Sequence, residues 1–338
     1  MPFSFLTAMQ NLQVVLASRP QGPVDEKNFR LVESSVRSPK EGDVLVRNLY
    51  LSLDPYMRMR MNEGKSYAPP VQIGEVMVGG TIAEVIESKD PRFNAGDIVG
   101  ARGGWQRYAA VDAATLRKID TRGAPLSTAL SVVGMPGVTA WYGLLKIGEP
   151  KPGETVVVSA ASGAVGSVVG QIARLKGCRV VGIAGGTEKC EYVIKELGFD
   201  ACVDYKADAF ESRLREATPD GIDIYFENVG GRVLDAVLPL LNAFARIPFC
   251  GYVSEYDAAT YGVQHLKSLL VSRVTLRAFI ISEHLDIWEE ALADLSSWLV
   301  AGKINYRETI AHGLENAPAA FIGMLKGRNL GKQLVKLA

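Results

Sequence analysis

Two stretches carry residue types that could do chemistry together. In ASGAVGS, residues 161–167, Gly163 and Gly166 stand where a β-branched run gives way to helical spacing. A backbone without Cβ atoms can approach a pyrophosphate there, and the helix N-terminus adds free N–H groups and the positive end of its dipole. The spacing is A-x-x-G-x-x-G, not the full G-x-G-x-x-G, so an ordinary strand-to-helix turn stays open as an alternative. The second stretch is VVGIAGGTEKC, residues 180–190. Chains that prefer NAD place an acid at the end of this strand to bind the ribose 2′-hydroxyl, and such an acid would repel a 2′-phosphate. Here the strand end reads Ala184-Gly185-Gly186-Thr187, small and neutral, followed by Glu188 and then Lys189. A cation that can reach a dianionic phosphate favours NADP; a solvated helix lysine is the plainer alternative.

The surrounding pattern predicts the elements that hold these residues. Thr155 to Val158 read as a strand; Val165, Val168, Val169, Ile172 and Leu175 read as one helix face; Val180, Val181 and Ile183 begin a second strand. That is a βαβ unit. Further strands are expected at 201–205, 222–226, 244–250 and 274–279, with helices between most of them and another at 285–301. Six short apolar strands joined by crossovers imply an α/β fold with a doubly wound parallel sheet. The chain before residues 120–130 differs, with Gly-bounded short strands in GDVLVRNLYLSLDPYMR, GGTIAEVIES and GDIVGARGGWQRYAAVD. It predicts a small, partly closed β-domain, to which strands around 306–310 and 332–336 return. The expected boundaries are 1–127 with 304–338 for the β-domain and 128–303 for the nucleotide-binding domain.

Composition excludes several partners. The 338 residues are 48% hydrophobic and 22% charged, with 37 Lys plus Arg against 37 Asp plus Glu. No basic excess favours a nucleic acid, and no stretch approaches the roughly 18 uninterrupted apolar residues of a membrane span. Four cysteines, Cys178, Cys190, Cys202 and Cys250, form no C-x-x-C pair. With no secretory leader in the opening residues, this predicts a cytoplasmic protein.

The same inventory bears on the reaction. The first 177 residues contain neither Cys nor His, and His265, His284 and His312 occur singly. Catalytic zinc needs about three such ligands, so no metal site is expected. Reduction without a metal suits hydride addition to a conjugated C=C, where the developing enolate is stabilised by a hydrogen-bond donor. Tyrosine, protonated at neutral pH, is such a donor. Tyr256 follows the strand end CGYVS, and Tyr56 follows Asp54-Pro55 in a turn of the β-domain, so domain packing would bring both toward a nicotinamide. Tyr67 of KSYAPP is a weaker candidate. YMRMRM, residues 56–61, alternates methionines as an extended segment lining an adaptable apolar pocket would; an ordinary hydrophobic edge with both arginines solvated is the alternative.

AASGAVGS, GGTEK, FENVGG, FCGYVS, LDPYMR and LKGRNLGKQLV together resemble the zinc-independent medium-chain dehydrogenase/reductases, in the subfamily of prostaglandin, 2-alkenal and bacterial curcumin reductases. The resemblance spans nearly the whole chain. It implies a Rossmann domain, a GroES-like β-domain made from both chain ends, and NADPH as cofactor. It further implies that Gly163, Ala164, Val165 and Gly166 cradle the pyrophosphate and that Lys189 and Tyr205 hold the 2′-phosphate. Asn228, Cys250, Gly251, Tyr252, Val253, Ser254 and Tyr256 would line the nicotinamide half, completed by Phe279, Ile280, Ile281 and Asn329. The expected activity is NADPH-dependent reduction of an enone by a homodimer. An NADPH quinone reductase and a non-catalytic NADPH-binding protein remain open as alternatives.

Overall fold

The two textures of the sequence become two compact units in the computed structural model, which describes residues 9–121 and 123–337. The first takes the chain up to Leu130, Glu308–Asn329 and the stretch from Gln333; the second takes Ser131–Arg307 and Leu330–Lys332.

The first unit opens with β1 (Gln10–Leu16) and β2 (Phe29–Ser35), paired antiparallel. The strand β3 (Asp43–Ser52) follows, then a helical turn α1 (Tyr56–Arg60), β4 (Thr81–Ser88), β5 (Ile98–Ala101), β6 (Tyr108–Asp112) and β7 (Arg117–Lys118). Gly-bounded, β-branched runs pair antiparallel here and pack Val44, Val46, Ala83, Val85, Val99 and Ala109 into one cluster.

The extended course read for YMRMRM does not form. Pro55 adopts φ −57°, already helical, and the Met57 N–H donates to the Asp54 carbonyl, so the segment winds up. Helical spacing then puts Met57 and Met61 on one face, both fully buried with Leu51, Leu53 and Trp105. Nor are both arginines solvated: Arg58 is buried, and its guanidinium donates to the Gly22 carbonyl (2.9 Å) and Asn62 Oδ1 (2.6 Å).

The second unit runs α2 (Met135–Tyr142), β8 (Thr155–Ser159), α3 (Gly166–Leu175), β9 (Arg179–Ala184), α4 (Thr187–Lys195), β10 (Ala201–Asp204), α5 (Phe210–Ala217), β11 (Ile222–Phe226), α6 (Gly231–Val237), β12 (Leu241–Phe249), α7 (Lys267–Val271), β13 (Thr275–Ala278) and α8 (Trp288–Val300). All five strand pairings are parallel, in the order β10-β9-β8-β11-β12-β13. This is the doubly wound sheet expected from the sequence. Every residue of β8 is buried, as befits a strand covered on both faces. The order reverses between β8 and β11, and such a switch point opens a crevice at the carboxyl ends of the strands. The helix expected at 285–301 starts with a 3₁₀ turn, Leu285–Ile287, before α8.

The chain then returns to the first unit with β14 (Glu308–His312), α9 (Ala317–Leu325) and β15 (Lys332–Lys336), giving the order β14-β15-β3-β4-β5-β7 with β6 also on β3. Phe321 of α9 packs edge-on against the stacked rings of Phe29 and Trp105.

One glycine decides how α3 lies on its sheet. A Cβ on Gly170 would stand 1.9 Å from the Phe199 ring. Gly170→Ala is therefore expected to destabilise the protein by about 1–3 kcal/mol despite alanine's better helix propensity. Trimming the ring with Phe199→Leu in the same chain should recover part of the loss. Urea unfolding of both variants checks this; an unchanged midpoint for the single variant refutes it.

Candidate cofactor and active site

The glycine loop is built by strain at the end of β8. Ala160 adopts φ +49°, and its carbonyl accepts from the Gly163 N–H (2.9 Å), folding the chain back into α3. A Cβ on Gly166 would lie 2.4 Å from the same carbonyl, so only glycine lets α3 start this close to the strand. Ala164 and Val165 are half-buried beside it, with Val165 as the helix N-cap. Gly331 forms a parallel bridge with Gly163, its N–H donating to the Ser162 carbonyl. The closing segment thus lies along the loop, a role the sequence reading did not give Gly331.

At the end of β9, Lys189 sits in the first turn of α4. Burial holds its ammonium below the usual lysine range; the positive Lys206 adds to this and Glu188 opposes it. Two cations repelling one another beside a helix N-terminus suit a dianionic phosphate, which would relieve both. Tyr205 lies across Gly185, where a Cβ would meet its ring at 2.8 Å, and the Lys206 Nζ is 5.9 Å from the centre of that ring. Asp204 Oδ1 accepts from the N–H groups of Gly186 and Lys206, tying the two loops together. The sequence reading missed Lys206, although its place directly after Tyr205 in VDYK was the available signal. Cys190 and Cys202 lie beneath this cluster as free thiols, the Cys202 Sγ donating to the Cys190 Sγ at 2.9 Å.

The loops after β11 and β12 are sewn together. N–H groups of Cys250 and Gly251 donate to the Glu227 carbonyl, that of Val253 to the Asn228 carbonyl, and that of Ser254 to the Val229 carbonyl, which the Ser254 hydroxyl also reaches at 2.6 Å. The Asn228 side-chain amide donates to the Ser159 carbonyl (2.8 Å), so this residue braces the end of β8. Tyr256 closes the 3₁₀ turn Val253–Glu255; its ring packs edge-on against Tyr252, and its Oη lies 3.5 Å from where a Gly251 Cβ would stand. The phenol therefore hangs over the bare backbone of Gly251. Burial and Glu227 push the Cys250 thiol up to about 12, keeping it neutral.

Other expected site residues are placed differently. Phe279 is buried between Tyr142, Phe226 and Gly143, and Ile281 is buried in the same core, so their backbone groups, with the half-buried Ile280, are what a ligand could reach. In the first unit, Tyr56 is half-buried at the start of α1, and burial together with Asp54 and Tyr67 raises its phenol well above the usual tyrosine range, holding the proton on. Asn329 ends one segment of that unit and is half-buried. Among the described residues, no group of three or more His, Cys, Asp or Glu is gathered as a metal site would require.

Comparison with known proteins agrees with this architecture. Residues 12–119 match the N-terminal domain of oxidoreductase family, and residues 164–297 match the family described as zinc-binding dehydrogenase. The chain is 52% identical to the NADPH-dependent curcumin reductase of Escherichia coli, over 97% of each chain. It is 42% identical to the NADP(+)-dependent 2-alkenal reductase of Nicotiana tabacum, over 98% of each. The solved structure of CurA from Vibrio vulnificus in complex with NADPH superposes with a TM-score of 0.93 at 51% identity, covering 97% of this chain and 99% of the other. The chain belongs to the medium-chain dehydrogenase/reductase family, in the branch of the curcumin, 2-alkenal and prostaglandin reductases.

Proposed function

We propose that this chain reduces the C=C bond of α,β-unsaturated ketones and aldehydes with NADPH. The observation that carries the reading is the 52% identity to an NADPH-dependent curcumin reductase along nearly the whole chain, with the Lys189–Lys206 pair at the expected 2′-phosphate position. Bound NADPH supplies the hydride, delivered to the β-carbon of the enone. Gly163, Ala164, Val165 and Gly166 hold the pyrophosphate at the start of α3, and Lys189, Lys206 and Tyr205 hold the 2′-phosphate. Asn228 and Cys250 through Tyr256, with backbone groups of Phe279, Ile280 and Ile281, would hold the nicotinamide half. Tyr256 would donate to the substrate carbonyl or the adjacent ribose hydroxyl as negative charge develops on the enolate.

Solved quinone oxidoreductases share the fold at 21% identity, which speaks for architecture alone. A panel of enones and quinones with product mass therefore tests the reading: NADPH consumption with enones supports it, and turnover of quinones only refutes it. The purified protein is further expected to carry no stoichiometric zinc and to keep its activity in a strong chelator, because its first 177 residues offer no Cys or His. One metal per chain by elemental analysis, with activity lost on its removal, would overturn the metal-free route.

A homodimer fits the apolar surface that the second unit leaves exposed. β13 ends the sheet with all four residues exposed, and Phe244, Leu270, Val271 and Leu276 leave apolar area beside it. No helix among the described residues is long and apolar enough to cross a membrane. A monomer mass in sedimentation at micromolar concentration would remove the dimer.

A further inference from the structure

A wholly buried carboxyl stands where the strand order reverses. Glu227, one residue beyond β11, is 0% exposed. Its Oε1 accepts from the Ser159 hydroxyl at the end of β8 (3.0 Å) and from the Val229 N–H (2.6 Å). Its own carbonyl accepts from Cys250 and Gly251 at the end of β12, and its N–H donates to the Pro248 carbonyl. Ser159 is held in return, since the Asn228 N–H donates to its hydroxyl oxygen at 2.8 Å. One residue therefore pins the carboxyl ends of β8, β11 and β12, on which the glycine loop, Asn228 and the Cys250–Tyr256 loop are mounted.

Core packing does not explain an acid here. A carboxyl taken out of water is costly unless its hydrogen bonds repay it, and an apolar side chain would fill the space without that cost. Burial pushes Glu227 up, while the N–H groups of Val229 and Gly230 and the hydroxyls of Ser159 and Tyr225 pull it back. What the acid adds is a single acceptor shared by two strands that lie side by side but 68 residues apart in the chain.

We propose that Glu227 is a positioning residue for the nicotinamide half of the cofactor: through Ser159 and Val229 it fixes the Tyr256 loop relative to the glycine loop, and so the distance across which hydride moves. The proposal rests on the NADPH reading above. It assigns Glu227 no contact with substrate or cofactor.

The test compares Glu227→Leu, which deletes the acceptor, with Glu227→Gln, which keeps one acceptor oxygen. Three readouts are taken: kcat on an enone, emission of bound NADPH without any acceptor present, and affinity for adenosine 2′,5′-bisphosphate, which occupies only the adenosine half. Glu227→Leu is expected to lower kcat by roughly 10–100-fold, because small misplacement of reacting groups is that costly, and to alter the NADPH emission. Bisphosphate affinity should stay within about twofold, and Glu227→Gln should recover most of the rate. A Leu variant with unchanged kcat, a parallel loss of bisphosphate affinity, or a Gln variant no better than Leu would each overturn the proposal, the last two by reducing Glu227 to general scaffolding. If the Leu variant does not fold, Ser159→Ala replaces it with an expected fall in kcat of roughly 3–10-fold, and an unchanged kcat there overturns the proposal as well. Should the unmodified protein reduce no enone, the functional reading fails, while NADPH emission and bisphosphate affinity still decide the role of Glu227.

Discussion

Tyr256→Phe is expected to lower kcat on enones by roughly 10–1,000-fold while leaving NADPH affinity nearly unchanged, because removing the phenol removes a donor to charge that appears only as hydride arrives. The ring itself should be conserved in place: it packs edge-on against Tyr252, a contact that phenylalanine keeps. Tyr56→Phe provides the comparison. Burial and Asp54 hold the proton on that phenol, and turnover separates the two tyrosines. Steady-state kinetics on several enones decides the matter. Full kcat in Tyr256→Phe with loss in Tyr56→Phe would transfer the donor role to Tyr56; full kcat in both would leave the cofactor ribose or water as the donor and defeat the assignment.

The second large effect concerns cofactor choice. Lys189→Ala should weaken NADPH by about 1.5–3 kcal/mol, roughly 10–150-fold in KM, with NADH little changed. Lys206 tempers this. Its charge disfavours the Lys189 ammonium in the absence of a phosphate, so removing either lysine relieves a repulsion in the free protein as well as removing an attraction in the complex. Lys206→Ala should accordingly cost less than the contact it removes suggests, and the double variant should approach equal use of NADPH and NADH. Equal KM values for the two cofactors in the unmodified enzyme would sink the phosphate assignment.

Most of the second unit was legible because parallel strands are covered on both faces and read as continuous β-branched runs; β8 and β11 stand where TVVV and IDIYF predict them. Short segments were not. YMRMRM satisfies a two-residue period through Met57, Met59 and Met61 and a four-residue period through Met57 and Met61, so its pattern cannot choose, and the helical dihedral of Pro55 chooses instead. The strand expected at 306–310 is displaced by two residues, running Glu308–His312. Of the candidate site, the glycine loop, Lys189 and Tyr256 announce themselves by local sequence. Lys206, Gly331 and the Ser159–Glu227 pair do not, since their significance comes from neighbours brought together by the sheet order.

That β15 enters between β14 and β3, with Leu334 opposite Ser52, has a consequence for synthesis. A ribosome adding about 5–20 residues per second has made Ser131–Arg307 of the second unit while β3 still lacks one of its neighbours. Until residues 332–336 emerge, the edge of β3 is an unpaired template carrying Leu51, and the aromatic cluster of Phe29 and Trp105 lacks Phe321 until α9 appears. The nascent chain thus carries most of its second unit while the first is still open and sticky. Slow translation of the codons for residues 308–336 would lengthen that exposure, which makes this segment the step at which chaperone capture and aggregation compete.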